Sequence, residues 1–124
     1  MKLSISNIAW AKEDDDAVNA LLSKHKYNGI DIAPSRIWSD IYNVTLEQAT
    51  DFRSAVYARG LDISGMQSLL FQKPDLTIFD SEEKRNETQV ALKKMIELGS
   101  VLGARGIVFG SPKNRIVGEV TDAK

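Results

Sequence analysis

The chain contains no cysteine, so it carries no disulfide, no thiol nucleophile and no thiolate metal ligand. Its single histidine, His25, is too little for a site built on imidazoles. Sixteen lysines and arginines face 17 acids, a net charge of −1, and without a basic excess a nucleic-acid backbone has nothing to hold it electrostatically. No apolar run approaches the ~18 residues of a membrane span. Met1-Lys2 leads straight into an alternating segment, with none of the features of a signal peptide. These absences lead us to expect a cytoplasmic protein with neither a nucleic-acid nor a membrane partner. Prolines number only three, Pro34, Pro74 and Pro112, and each falls between periodic segments.

What is present is ordinary globular composition, 43% hydrophobic and 27% charged over 124 residues, enough for one domain (1–124) with a core. Residues 2–10 alternate at Leu3 and Ile5 and then turn apolar, which predicts a strand with Trp10 at its carboxyl end. Glu13 and Asp14 to Asp16 follow, acids placed where a helix amino terminus favours negative charge. Ala17, Val18, Leu21 and Leu22 then recur at helical spacing. Asn28-Gly29 ends that helix and opens a second strand, Gly29 to Ala33, carrying Asp31.

The pattern repeats. A loop with Pro34, Arg36 and Trp38 leads to Thr45 and Gln48, a capping box, and to a helix faced by Ala49, Phe52 and Val56. Leu61 to Met66 is a third strand, with Gln67 and Ser68 just beyond it. Asp80 with Glu83 predicts a second capping box, before a helix whose buried stripe is Ala91, Met95, Leu98 and Leu102. Arg105 to Phe109 is a fourth strand, broken by Gly110-Ser111-Pro112 and followed by Lys113, Asn114 and Arg115. The last residues read as a loop towards a further helix, capped by Thr121 or Asp122.

Strands alternating with amphipathic helices, βαβαβαβ, mean an α/β fold with a parallel sheet and right-handed crossovers. An open doubly wound sheet and part of a (β/α)8 barrel both fit. The dinucleotide fingerprint is absent, since the first turn reads Ala9-Trp10-Ala11-Lys12-Glu13, but a flavodoxin-like sheet fits the periodicity. An eight-unit barrel needs about 250 residues, so this chain would hold about half.

Four stretches, Leu3 to Trp10, Gly29 to Trp38, Gly65 to Phe71 and Val108 to Arg115, resemble in order the amino-terminal half of the sugar phosphate isomerase/epimerase family. These are xylose isomerase-like TIM barrels. The resemblance implies an enzyme that moves a proton beside a carbonyl with the help of a divalent metal. It also implies that the Glu, Asp, His and Glu metal ligands lie on later strands, beyond Lys124. On this reading the chain supplies substrate-binding loops but no metal ligand, and is inactive alone.

The candidate substrate-binding residues are Trp10, Asp31, Trp38, Gln67, Ser68, Ser111, Lys113, Asn114 and Arg115, all at strand carboxyl ends, where α/β folds place their ligands. Lys113, Asn114 and Arg115 suit an anionic or polyhydroxyl sugar. Asp31 either meets substrate or orders loops through Arg36 or Lys113. Trp10, Trp38 and Phe109 either stack on a sugar ring or cap the barrel top. His25 reads as a solvated cation at a helix end. Half a barrel exposes unpaired strand edges, which predicts a homo-oligomer or pairing with a carboxyl-terminal half. A non-catalytic assembly module is the alternative. The zinc nuclease branch of the same superfamily is disfavoured by the single histidine and the charge.

Overall fold

The computed structural model describes residues 1–117 of the chain. Three short strands form a parallel sheet: β1 (Ser4–Ser6), β2 (Gly29–Ile32) and β3 (Asp62–Met66), in the order β1-β2-β3. Helices α1 (Asp15–Lys24) and α2 (Leu46–Ala58) connect them, and α3 (Glu82–Leu102) follows β3. The architecture is a small α/β domain with alternating strands and helices. The caps expected at Thr121 or Asp122 lie outside the described residues.

The predicted fourth strand is reduced to one parallel bridge, Met66 with Ile107. Two hydrogen bonds hold it, Met66 N to the Gly106 carbonyl at 2.9 Å and Val108 N to the Met66 carbonyl at 2.8 Å. The ladder ends there because Gly110 and Pro112 follow directly and have little to offer a strand. The segment still lies beside β3, so four parallel segments run in sequence order. A flavodoxin-like sheet would set β1 between β2 and β3, and a dinucleotide-binding sheet would bring its fourth strand beside β1. Neither arrangement occurs among the described strands.

The first strand is also shorter than its alternation predicts. Beyond Ser6 the chain turns, and Trp10 lies past that turn and not at a strand end. Asn7 takes over the pairing: its Oδ1 accepts from Ala33 N at 2.8 Å and its Nδ2 donates to the Ala33 carbonyl at 3.4 Å. A side-chain amide thus continues a backbone ladder.

Local signals account for the helices. Thr45 Oγ1 accepts from Gln48 N at 3.1 Å while Gln48 Oε1 accepts from Thr45 N at 2.9 Å, a complete capping box starting α2. At α3 the cap is Ser81, whose Oγ accepts from Lys84 N at 3.3 Å, and not Asp80. Asp80 Oδ1 accepts from Ser81 N at 2.6 Å instead, fixing the residue that does the capping. Gly103, at φ +75°, ends α3 in the left-handed conformation that suits glycine. Before α1, a 3-10 turn spans Lys12–Asp14, and Asp14 makes no capping bond through its side chain.

The sheet has two unlike faces. Ile30, Ile32, Ile63 and Met66 join Leu22, Val56, Met95, Leu98 and Leu102 in one core beneath the helices. Ile32, Met95 and Leu102 are fully buried, each contributing about 1.5–3 kcal/mol by the usual transfer value. The opposite face carries no helix among the described residues, and Ser4, Ser6, Asp31, Asp62 and Ser64 give it polar side chains beside Gly29 and Gly65.

Candidate functional site

The polar face follows from the period-two geometry of strands. Register pairs Ser6 with Asp31 and Asp31 with Gly65, while Ile5, Ile30 and Ile63 pair on the helix side. A bulge inserts Ser64 into β3 between the partners of Ile30 and Asp31. It brings the Ser64 hydroxyl to the polar face, where it bonds Asp31 Oδ1 at 3.4 Å and also meets the Ser4 hydroxyl. Gln67 Nε2 donates to Ser6 Oγ. A Cβ at Gly65 would collide with the Asp31 carboxylate, and one at Gly29 would sit 2.6 Å from the Asp62 carbonyl oxygen. Glycine is therefore required at both places by close approach.

Two of these contacts, Ser4 with Ser64 and Ser6 with Gln67, run from β1 to β3 and its extension across the intervening β2. Alternate strands of a flat sheet lie about 9.6 Å apart, twice the usual spacing, too far for two serine side chains to meet. The sheet is therefore concave on its polar face.

A second group sits where the first two loops meet. Trp10 Nε1 donates to Asp15 Oδ1 at 2.7 Å, and Arg36 Nη2 donates to the same oxygen and to the Trp10 carbonyl, both at 3.1 Å. The expected pairing of Arg36 with Asp31 is thus replaced by one with Asp15, which α1 brings closer. A crevice of about 240 Å³ opens beside this clasp, between α1 and α2. Asp16 reaches Arg59 at 3.5 Å, an exposed pair of little energetic weight.

The third group joins the last two loops. Asn114 is buried, and its Nδ2 donates to the carbonyls of Lys73 (2.8 Å) and Leu76. Its Oδ1 meets the Ser111 hydroxyl, and its own carbonyl accepts from Ile78 N at 3.2 Å. Lys113 and Arg115, on either side, are exposed. Gln72 does a similar job for the preceding loop, bonding the Ser39 carbonyl at 2.7 Å and Ile41 N at 3.4 Å.

The nine candidates thus separate. Asp31 and Gln67 share the concave face; Trp10 belongs to the Asp15–Arg36 clasp; Ser111 and Asn114 hold a loop, with Lys113 and Arg115 beside them. Trp38 packs edge-on against Phe52 of α2, ring centres 5.4 Å apart. Ser68 adopts φ +60°, an uncommon conformation for a residue other than glycine, and its carbonyl accepts from Phe71 N at 3.2 Å. His25 is exposed at the end of α1.

Sequence reasoning missed the residues that organise these groups: Ser4, Ser6, Asn7, Asp15 and Ser64. The Ser4-Ile5-Ser6 alternation carried a usable signal, since two hydroxyls two residues apart share a strand face. It also missed a groove of about 800 Å³ between Tyr42, Leu76 and the first half of α3, lined by none of the nine. There Lys73 Nζ lies 5.7 Å from the Tyr42 ring centre, and the Tyr42 hydroxyl donates to the Leu69 carbonyl at 2.7 Å. Burial, reinforced by the charge of Asp75, pushes the Tyr42 phenol up to about 12. Asp75 itself is held below the usual carboxylate range by a backbone N–H and by Lys84.

No family model matches this chain, and no curated protein does. Among the described residues, no group of three or more His, Asp or Glu side chains converges to hold a metal ion. Nor is any described helix long and apolar enough to cross a membrane.

Proposed function

We propose that the chain forms the amino-terminal half of a (β/α)8 barrel of the sugar (phosphate) isomerase and epimerase kind. In this reading it contributes carboxyl-end loops to substrate binding, and the metal ligands belong to other strands. The observation that carries the barrel is the concavity of the sheet, expressed by side chains of β1 and β3 that meet over β2. The sequential order of four parallel segments supports it, because a barrel winds in one direction without a switch point. The polar concave face becomes the barrel interior, and Gln67, Ser68, Lys113 and Arg115 stand at its mouth as hydroxyl- and anion-binding groups. The open edges of β1 and of the Ile107 segment are completed by a second copy or by further barrel strands.

The test is a titration of the isotopically labelled chain with aldose and ketose phosphates, and separately with magnesium and manganese. Sugar phosphates should shift the amides of Gln67, Ser68 and the Lys113–Arg115 turn at millimolar concentration. Metal alone should give no saturable site, and no isomerisation should follow. Shifts confined to the groove around Tyr42 would overturn the assignment of the mouth. A non-catalytic assembly module is the second reading. It is favoured by one observation: the amides of Gln67 and Asn114 are already spent on internal hydrogen bonds.

A further inference from the structure

The crevice between α1 and α2, beside the Asp15–Arg36 clasp, has no part in the barrel reading. Ile30, which lines it, belongs to the helix-side core, so the crevice opens behind the sheet and not on its polar face. Its lining is apolar at depth: Ile30 and Val56 are buried, and Trp10 and Phe52 are half-buried. At about 240 Å³ it has room for about eight waters, or for one flat organic molecule of about nine non-hydrogen atoms.

The charged groups that line it are Lys12, Arg36 and Arg59 against Asp15 and Asp16, an excess of one positive charge. Both carboxylates have partners: Asp15 accepts from Trp10 and Arg36, and Asp16 faces Arg59. Lys12 makes no ion pair among the described residues. Arg36 is the cation most withdrawn from water, with its side chain 16% exposed, yet only its Nη2 is bonded. Its Nε and Nη1 have no protein partner and still touch solvent. A guanidinium fork held partly out of water suits a carboxylate, because the two N–H···O bonds are charge-assisted, planar and weakly screened. A bare inorganic anion would leave the apolar lining wet, and a cation would meet three cationic side chains.

We propose that this crevice binds a small organic carboxylate with a flat apolar body, one aromatic ring in size. The carboxylate takes the free N–H groups of Arg36 and the ammonium of Lys12, and the ring lies against Ile30, Phe52 and Val56. Since α1 and α2 both line the crevice, the ligand ties the two helices together. The assignment is independent of the barrel reading and of the mouth, and stands or falls without them.

The experiment titrates benzoate into the isotopically labelled chain at constant ionic strength, with benzyl alcohol and benzylamine as neutral and cationic molecules of the same shape. Benzoate should give saturable shifts at millimolar concentration, largest at the amides of Asp16, Asn19, Ile37 and Arg59. Benzyl alcohol should bind at least ~10-fold more weakly, and benzylamine should not saturate. Lys12→Ala, an exposed change that leaves the clasp intact, should weaken benzoate about 3-fold. Arg36→Lys, which keeps the charge and loses the fork, should weaken it ~10-fold or more. Amide spectra first establish that each variant is folded; if Arg36→Lys is not, Lys12→Ala and Arg59→Gln carry the test, and both should weaken binding. Equal affinity for benzoate and benzyl alcohol, or a preference for benzylamine, would overturn the assignment. So would benzoate shifts that never saturate, that Lys12→Ala and Arg59→Gln both leave unchanged, or that are confined to Gln67 and the Lys113–Arg115 turn.

Discussion

Replacing Asn7 by alanine should be the most informative single deletion outside the hydrophobic core. The Asn7 amide is buried and makes two bonds to Ala33, itself 1% exposed at the carboxyl end of β2. Truncation removes a good 2.8 Å bond and a weaker 3.4 Å one. It also leaves the Ala33 N–H buried without that partner, while the Ala33 carbonyl keeps the bond it accepts from Arg36 N at 3.0 Å. A buried group left unsatisfied costs about 1–3 kcal/mol, and the carbonyl adds little because it still accepts from Arg36 N. We expect a loss of about 2–3 kcal/mol by urea denaturation, and a fall in Tm of roughly 8–15 °C for a domain of this size. Hydrogen exchange gives the site-specific readout, since the Ala33 amide should lose protection while those of β3 keep theirs. A stability change within about 0.5 kcal/mol, with Ala33 still protected, would refute the idea that this side chain extends the ladder.

Gly65→Ala should cost about 1–3 kcal/mol through the collision with the Asp31 carboxylate, and most of that should be recovered in an Asp31→Ala background. A double-mutant cycle showing no coupling would separate the two residues. Thr45→Ala should remove about 1 kcal/mol by breaking the capping box, seen as fraying of the first turn of α2 in amide exchange. Tyr42 should titrate well above an ordinary phenol in ultraviolet absorbance, because burial pushes it up to about 12. Since the folded value lies above the unfolded 10.0, this group's contribution to stability is intact below pH 10 and is lost as pH rises from there through 12. A phenol titrating at the ordinary value would contradict the half-buried hydroxyl bonded to the Leu69 carbonyl.

The alternation of apolar runs and amphipathic stretches was enough to read the parallel α/β order, the Thr45–Gln48 box, and the buried stripe of α3 at Ala91, Met95, Leu98 and Leu102. Those features are local, set by periodicity and by side chains three or four residues apart, so sequence carries them directly. The cap of α3 was misplaced by one residue because Asp80 and Ser81 both offer an oxygen at the right place, and only the chain's approach to the helix chooses between them. The fourth strand was over-read because the apolar run from Gly106 to Phe109 looks the same whether it makes a full ladder or one bridge.

The candidate site was legible only as a roster of polar residues at strand ends. Asp31 was singled out as a carboxylate needing a partner, yet Arg36 went to Asp15, a choice made by where α1 brings its first turn. Nor does the sequence say that Asn114 spends its amide on Lys73 and Leu76, 41 and 38 residues away. By itself, then, the sequence determined which segments become strands and helices and which faces are apolar, because those depend on spacing along the chain. Tertiary structure alone decided the curvature of the sheet, the meeting of Ser4 with Ser64, and the pairing of each charge. The reason is physical: contacts between distant segments are set by strand register and by one inserted residue at Ser64, neither of which has a local signature.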